Sequence, residues 1–204
     1  MLHLLNHPLA AHILTRLRDQ ATPPETFRNL TRQISLLLAL EATRDLATES
    51  RDICTPLEKT SARVLARPLA IVPILRAGLG MVEPFTDLFP DVSVGYVGLE
   101  RDHLTAVARN YYRKLPPLAG RRVLVLDPML ATGGSAVQTL DVLRAEGATE
   151  LALVCIVSAP EGVRAVEAAH PAVPIFTAAL DRELNASKYI LPGLGDFGDR
   201  LYGT

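Results

Sequence analysis

Cysteine is scarce in this chain: Cys54 and Cys155 are the two present among 204 residues. Two thiols far apart in sequence form no disulfide framework, which excludes the small stapled secreted domains and fits a reducing compartment. Cys155 also lies inside the apolar run Leu151 to Val157, where a thiol behaves as a small buried hydrophobe. An excess of one charge is missing too. The 21 Lys and Arg against 22 Asp and Glu leave a net charge of -1, so no broad basic surface points to nucleic acid or an anionic membrane, and any anion site must be local. No stretch approaches ~18 uninterrupted apolar residues, and Met1 to Ala11 lacks a basic segment followed by a long apolar one. A cytoplasmic chain with neither membrane nor nucleic-acid partner is the expectation. Internal repeats, low-complexity segments and Ser/Gly linkers are absent as well. With 49% hydrophobic residues, residues 1–204 are expected to form a single domain around one core.

The first fifty residues read as a helical lead-in of two helices. The second is better marked: Thr22-Pro-Pro-Glu25 has capping-box spacing, and Phe27, Leu30, Ile34, Leu37 and Leu38 follow at near-helical intervals. Residues 50–68 mix charge, Thr, Ser and Pro and predict a short helix near Ser61 to Ala66. From residue 69 the pattern changes to short apolar runs, Leu69 to Leu75, Val92 to Leu99, Val123 to Leu126, Leu151 to Val157 and Val173 to Phe176, each the length of a buried parallel strand. Helix formers fill Met81 to Leu88, Ser135 to Glu146 and Glu161 to Ala169, with Gly147 placed as a stop and Pro160 as a start. The fold class is α/β, a mostly parallel central sheet flanked by helices. The polar, Tyr-rich stretch 100–120 reads as an excursion from that sheet.

One local site stands out. Val123-Leu-Val-Leu-Asp127-Pro-Met-Leu-Ala-Thr132-Gly-Gly-Ser135 is an apolar strand that ends in an acid and turns through Gly-Gly into a helix. Gly133 and Gly134 permit close backbone approach, the helix start offers free N–H groups and a positive dipole end, and Thr132 and Ser135 add hydroxyls. A phosphate monoester fits there, with Asp127 placed for ribose hydroxyls. Neither G-x-x-x-x-G-K-[ST] nor G-x-G-x-x-G occurs in this loop, so it carries no P-loop or dinucleotide signature. The remaining pattern resembles the type I phosphoribosyltransferases, whose loop of this form binds 5-phosphoribosyl-1-pyrophosphate (PRPP), and Asp-Pro-Met-Leu-Ala-Thr-Gly-Gly-Ser is similar to the uracil-specific members. The general family loop has two adjacent acids; Pro128 stands in the second place.

Two further segments carry the same resemblance. Val72-Pro-Ile-Leu-Arg76-Ala-Gly78-Leu-Gly80 puts an arginine directly after a strand, where it needs an anionic partner, either a structural acid such as Glu83 or a phosphate that its fork can grip. Tyr189-Ile-Leu-Pro-Gly193-Leu-Gly195-Asp196-Phe-Gly198-Asp199-Arg200 is rich enough in glycine to present backbone groups at close range, as the carbonyl and N–H edge of uracil would require. The resemblance runs from His7 to Thr204. It implies transfer of the phosphoribosyl group of PRPP to uracil, giving UMP and pyrophosphate, with Mg2+ held mainly by PRPP and no direct protein ligand to the metal. On it, Arg76, Asp127 and Asp196 are catalytic; Arg76, Arg101, Asp127, Pro128, Met129, Leu130, Ala131, Thr132, Gly133, Gly134, Ser135 and Asp196 bind PRPP; and Ile190, Gly195, Asp196 and Phe197 bind uracil, in a base-recognition loop at about 189–200. It also implies a homodimer or higher homo-oligomer, and raises GTP as an activator.

The segment Glu100 to Leu115 occupies the place of the family's hood over PRPP, and Arg101 matches its phosphate-contacting arginine. Acidic and proline residues expected after it are replaced by His103, Leu104, Ala106, Val107 and Ala108. Tyr111, Tyr112, Arg113 and Lys114 read as a solvated or subunit-contacting hairpin. His3, His7 and His12 have no nearby Cys or carboxylate cluster and are not read as metal ligands; His170 reads as a helix-end residue. Two other activities remain open at this point: an RNA-binding regulator on the same fold, which should show a basic face, and transfer to orotate, whose carboxylate would want a cation that Ile190 to Gly198 lacks.

Overall fold

The structure, a computed structural model, describes residues 1–101 and 108–204, with the side chains of 100–110 outside that description. Strand β1 (Leu2–Leu4) precedes helices α1 (Pro8–Arg18) and α2 (Pro24–Ala42). A hairpin of β2 (Thr48–Cys54) and β3 (Lys59–Leu65) follows, then β4 (Leu69–Leu75), a 3-10 turn (Ala77–Met81) and α3 (Val82–Leu88). Next come β5 (Ser93–Val94), β6 (Tyr96–Arg101), β7 (Ala108–Lys114), β8 (Arg122–Leu126), β9 (Met129–Leu130) and α4 (Gly134–Ala145). The chain ends with β10 (Glu150–Ser158), α5 (Pro160–Ala169), β11 (Ile175–Leu180), β12 (Glu183–Leu184), β13 (Ile190–Leu191) and α6 (Phe197–Tyr202). Among the described residues the main sheet runs β1-β11-β10-β8-β4-β6-β7, with β5 beside β4 and β9 beside β10. Every pair in it is parallel except β6 with β7.

Strand periodicity explains why helices cover both faces. In β4, Leu69 and Ile71 point to one side and Ala70, Val72 and Ile74 to the other; β8 divides as Leu124 and Leu126 against Val123 and Val125, and β10 as Ala152, Val154 and Ile156 against Leu151, Leu153 and Cys155. The first set packs on α1 and α2 through Ile13, Leu17, Phe27, Ile34 and Leu38, the second on α4 and α5 through Leu140, Leu143, Val163 and Val166. Gly147, at φ +87, ends α4 with N–H donation from Gly147 to Arg144 and from Ala148 to Leu143. Pro160 begins α5, as its lack of an N–H allows. No helix among the described residues is long and apolar enough to cross a membrane.

Several expectations are corrected here. Residues 61–66 are not helical. Their local helix formers lie in β3, paired over seven residues with Thr48–Cys54, and cross-strand pairing overrides a weak propensity. Thr22 does not cap α2: its hydroxyl donates to the Arg16 carbonyl at 2.6 Å, and α2 starts after Pro23 without a side-chain cap. The run 92–99 is broken at Gly95 into two strands, and the last long strand begins at Ile175 and reaches Leu180. The stretch 100–120 does not leave the sheet at once, because β6 and β7 extend it as an edge hairpin. Arg113 there pairs with Glu146 at 3.0 Å. Residues His103, Leu104, Ala106 and Val107 lie outside the described residues. His7 does have a role: its ring nitrogen accepts from Leu9 N at 3.1 Å and caps α1.

Leu38 is fully buried between α2 and the sheet. Leu38→Ala should lower unfolding free energy by about 2–5 kcal/mol, measured by urea denaturation; unchanged stability would mean that α2 is not packed as described.

Candidate functional site

Parallel strands deliver their carboxyl ends to one side of a sheet, and the chain segments leaving β4, β8 and β11 meet there. Arg76 leaves β4 through a cis Leu75–Arg76 peptide and is exposed. The glycines after it are needed for packing. A Cβ on Gly78 would lie 2.5 Å from the Leu126 carbonyl oxygen, and one on Gly80 would lie 2.8 Å from the Leu201 side chain. The Arg76 turn is therefore pressed onto the end of β8 beside Asp127 and onto α6. Glu83, the structural partner considered for Arg76, is instead paired with Arg32. Among the described residues Arg76 forms no ion pair. Its carbonyl accepts from the Tyr202 hydroxyl at 3.3 Å, and burial raises the Tyr202 phenol above its ordinary pKa while the Arg76 charge opposes that.

Asp127 is half-buried at the end of β8, and its Oδ1 accepts from Met129 N at 3.3 Å. Beyond it, β9 runs alongside β10, and the chain enters α4 with Gly133 at φ +84. A Cβ there would lie 2.9 Å from both Ala165 and the Gly162 carbonyl, while one on Gly162 would lie 2.6 Å from the Ala131 carbonyl oxygen. Loop and α5 thus touch backbone to backbone. Gly134 is different: it is exposed, with only Thr132 Oγ1 within 4 Å of a built Cβ, at 3.8 Å. Asp127, Met129, Leu130, Ala131, Thr132, Gly133 and Ser135 with Ala136 enclose a hollow of about 40 Å3 at this helix start, where backbone N–H groups and the helix dipole favour an anion. Behind the loop, burial first and then the Asp127 charge raise the Cys155 thiol well above its ordinary pKa, so it stays protonated and inert.

A larger cavity of about 370 Å3 adjoins the hollow, lined by Ile190, Gly195, Asp196 and Phe197 with Ser187, Lys188 and Tyr189. Met129 and Ala131 belong to both linings. Ile190 and Phe197 are core residues, with Phe197 against Phe27 edge to face at 5.3 Å. Asp196 is exposed, and its Oδ1 caps α6 by accepting from Asp199 N at 3.0 Å. Gly195 stands at φ +80, a conformation that favours glycine.

Of the residues expected from sequence, Asp127, Met129 to Gly133, Ser135, Ile190, Gly195, Asp196 and Phe197 line the two hollows, whereas Arg76, Gly134 and buried Pro128 line neither, and Pro128 serves β10 through its carbonyl. The Arg101 side chain lies outside the described residues. Lys188 was missed: Ile190 to Gly198 carries no cation, but Lys188, just before that segment and at φ +66, stands in the cavity wall. Arg200 was missed as well. It donates to the carbonyls of Leu17, Leu194 and Asp19 and lies 4.5 Å over the Phe27 ring, tying the loop to α1 and α2; its cluster of glycines gave no hint of this, because the partners are distant in sequence. Among the described residues, no group of three or more His, Cys, Asp or Glu is placed to hold a metal ion.

A family model described as uracil phosphoribosyltransferase matches residues 4–204. The chain is 51% identical over 203 residues to a curated uracil phosphoribosyltransferase of Symbiobacterium thermophilum, covering 98% of this chain and 97% of that one. It is 49% identical to the protein of the same name from Dictyoglomus turgidum, with both chains fully covered. Among solved structures it is similar to the AQ2163 protein of Aquifex aeolicus, with TM-score 0.96, 36% identity, and coverage of 100% and 99%. A hypoxanthine-guanine phosphoribosyltransferase of Bacillus anthracis shares the fold alone, at TM-score 0.55 and 11% identity over 78% of this chain and 80% of that one.

The glycine contacts separate packing from access. Gly78→Ala should lower stability by about 1–3 kcal/mol through overpacking against backbone, whereas Gly134→Ala should leave the melting temperature near that of the unchanged protein. Differential scanning fluorimetry of both variants checks this, and equal melting temperatures for the two would contradict the packing described.

Proposed function

The chain belongs to the uracil phosphoribosyltransferase family, and from that membership we propose that the two adjoining hollows hold the two halves of its product. It transfers the phosphoribosyl group of PRPP to uracil, giving UMP and pyrophosphate in pyrimidine salvage. The observation that supports the assignment of parts is the common wall of Met129 and Ala131 between the 370 Å3 cavity and the helix-start hollow. A base in the first and a 5′-phosphate in the second would be joined by the ribose across that wall.

In this reading the bond from the anomeric carbon to pyrophosphate breaks with its electron pair leaving on the pyrophosphate, and the uracil N1 forms the new bond to that carbon. Positive charge on the sugar and negative charge on the leaving group must be held and neutralised. Arg76, exposed beside the end of β8, grips the pyrophosphate, and Arg101 is assigned the same work. Asp127 accepts from the ribose hydroxyls. Backbone N–H groups of the Gly133–Ser135 turn and the Thr132 and Ser135 hydroxyls bind the 5′-phosphate. Backbone groups at Ile190 and Gly195 read the uracil edge beside Phe197. Asp196, with Oδ1 engaged in the cap, uses Oδ2 to orient uracil or take its N1 proton. Mg2+ would be held mainly by oxygens of PRPP, with no direct protein ligand, and would supply charge neutralisation at the pyrophosphate; the scattered carboxylates suit a metal carried in by substrate.

A homodimer or larger assembly belongs to the same proposal. Its support is the β2–β3 hairpin, whose strands are mostly exposed, with Leu57 at its turn 95% exposed. An isolated two-stranded hairpin is marginal in water, so a second copy is the cover we assign. Two unpaired cysteines support a cytoplasmic setting. Family membership is all that supports GTP as an activator, tested by the initial rate with and without it.

UMP formation from PRPP and Mg2+ should occur with uracil and not with orotate, cytosine or hypoxanthine, vanish with EDTA, and fall on the order of a hundredfold in Asp127→Ala. Turnover of orotate in place of uracil, or full activity in that variant, would overturn the assignment. Unchanged turnover in Asp196→Asn would remove Asp196 from proton handling. Light scattering should give at least a dimer for the full chain and a monomer when residues 50–63 are replaced by a short turn; a monomeric full chain contradicts the hairpin's role.

A further inference from the structure

The base loop is held from behind by a partly buried ion pair that does not line the cavity. Asp181 follows β11 directly, with its side chain 4% exposed. It takes both nitrogens of the Arg18 fork, Nη2 to Oδ1 at 2.6 Å and Nη1 to Oδ2 at 2.8 Å. The same Oδ2 accepts from Gly193 N at 2.9 Å, and Arg18 Nη1 also donates to Gly193 O at 2.7 Å. Both hydrogen-bonding groups of one residue are thus engaged by the two members of one ion pair. We propose that Arg18 and Asp181 are positioning residues for uracil, fixing the backbone of Gly193 and through it the groups on either side that read the base.

Local geometry makes Gly193 the place where such a grip acts. It stands at φ +58, and a Cβ there would lie 2.2 Å from the Ile190 carbonyl oxygen, so the turn from Ile190 closes only on glycine. Ile190 precedes this turn and Gly195 follows it, both in the cavity wall. A shift of Gly193 moves both. Arg18 is itself anchored: it is the last residue of α1, whose Ile13, Leu14 and Leu17 are in the core, and a cation there meets the negative end of the helix dipole. Leu17 and Asp19, its two neighbours, give their carbonyls to Arg200, which also holds Leu194 O at 2.9 Å. The end of α1 is therefore the plate on which consecutive residues of the loop are mounted. Desolvation of Asp181 offsets much of its attraction to Arg18, so an arrangement this complete does more for geometry than for net stability.

The inference rests on the assignment of residues 190–197 to the base. Arg18→Lys, Arg18→Met, Asp181→Asn and the Met/Asn double variant are compared with Gly195→Ala by steady-state kinetics, varying uracil and PRPP separately, and by melting temperature. The Arg18→Met and Asp181→Asn variants should raise the KM for uracil by about tenfold while the KM for PRPP stays within about twofold, because only base alignment is lost. Arg18→Lys, which keeps the charge and loses the fork, should recover part of this, and the double variant should be no worse than either single one. A lowered melting temperature with both KM values unchanged in the surviving enzyme would show a structural role and overturn the proposal. If Gly195→Ala raises the uracil KM while the Arg18 and Asp181 variants do not, the clamp fails and the base-loop assignment stands; if Gly195→Ala does not raise it either, both fail. Should Asp181→Asn not fold, Arg18→Lys carries the same comparison.

Discussion

The carbonyl oxygen of Leu126 lies 2.5 Å from where a side chain on residue 78 would begin, and the site depends on that space being empty. Strands β4 and β8 are neighbours in register, Pro73 opposite Leu126, so the chain leaving β4 must cross the end of β8 at backbone distance. With glycine at 78 the turn that follows Arg76 passes over the Leu126 carbonyl, the residue before Asp127. The same constraint recurs where α5 meets the phosphate loop: Gly162 and Gly133 let two backbones touch, and the loop is held by contact instead of by a side chain that would fill it. Within the phosphate loop Gly134, unlike Gly133, has only Thr132 Oγ1 within 4 Å of a built Cβ, which leaves room for a ligand at the helix start.

From this follows a division of labour between front and back. The front of the site offers backbone groups and hydroxyls beside Asp127, Lys188 and Asp196, suited to a base and a phosphosugar. Charged side chains that hold geometry stand behind: Arg18 with Asp181, Arg200 on carbonyls and over Phe27, and Glu161, whose carboxylate accepts from Leu184 N at 3.1 Å. The Glu161 pKa is lowered by its own backbone N–H first and that of Leu184 next, so this tie is complete above the ordinary carboxylate range and weakens as pH falls through the lowered value. Phosphoribosyl transfer asks a protein chiefly to hold and neutralise, and a site built of fixed backbone does that without reorganising.

Much of this was legible in the sequence because the signals were local. The strand, Asp127 and Gly-Gly turn carry their geometry in adjacent residues, and so do the stop at Gly147 and the start at Pro160. What failed was settled elsewhere in the chain. Ser61 to Leu65 joined a strand through a partner segment across a turn, and the Thr22 hydroxyl bonded backward to α1. Arg18, Asp181 and Arg200 were invisible as a group because the contacts that join them to α1, Arg18 to Asp181 and Arg200 to Leu17, span 163 and 183 residues and leave no spacing pattern. Lys188 was passed over because it precedes the glycine-rich loop, yet the turn at Asn185 brings it into the cavity wall.

A crystal structure of the protein with UMP bound tests the central claim most directly. The account predicts the 5′-phosphate on the N–H groups of residues 133–135, the ribose hydroxyls on Asp127, and the uracil edge against the backbone of Ile190 and Gly195. A base bound away from residues 190–196, or a phosphate away from the start of α4, would contradict it.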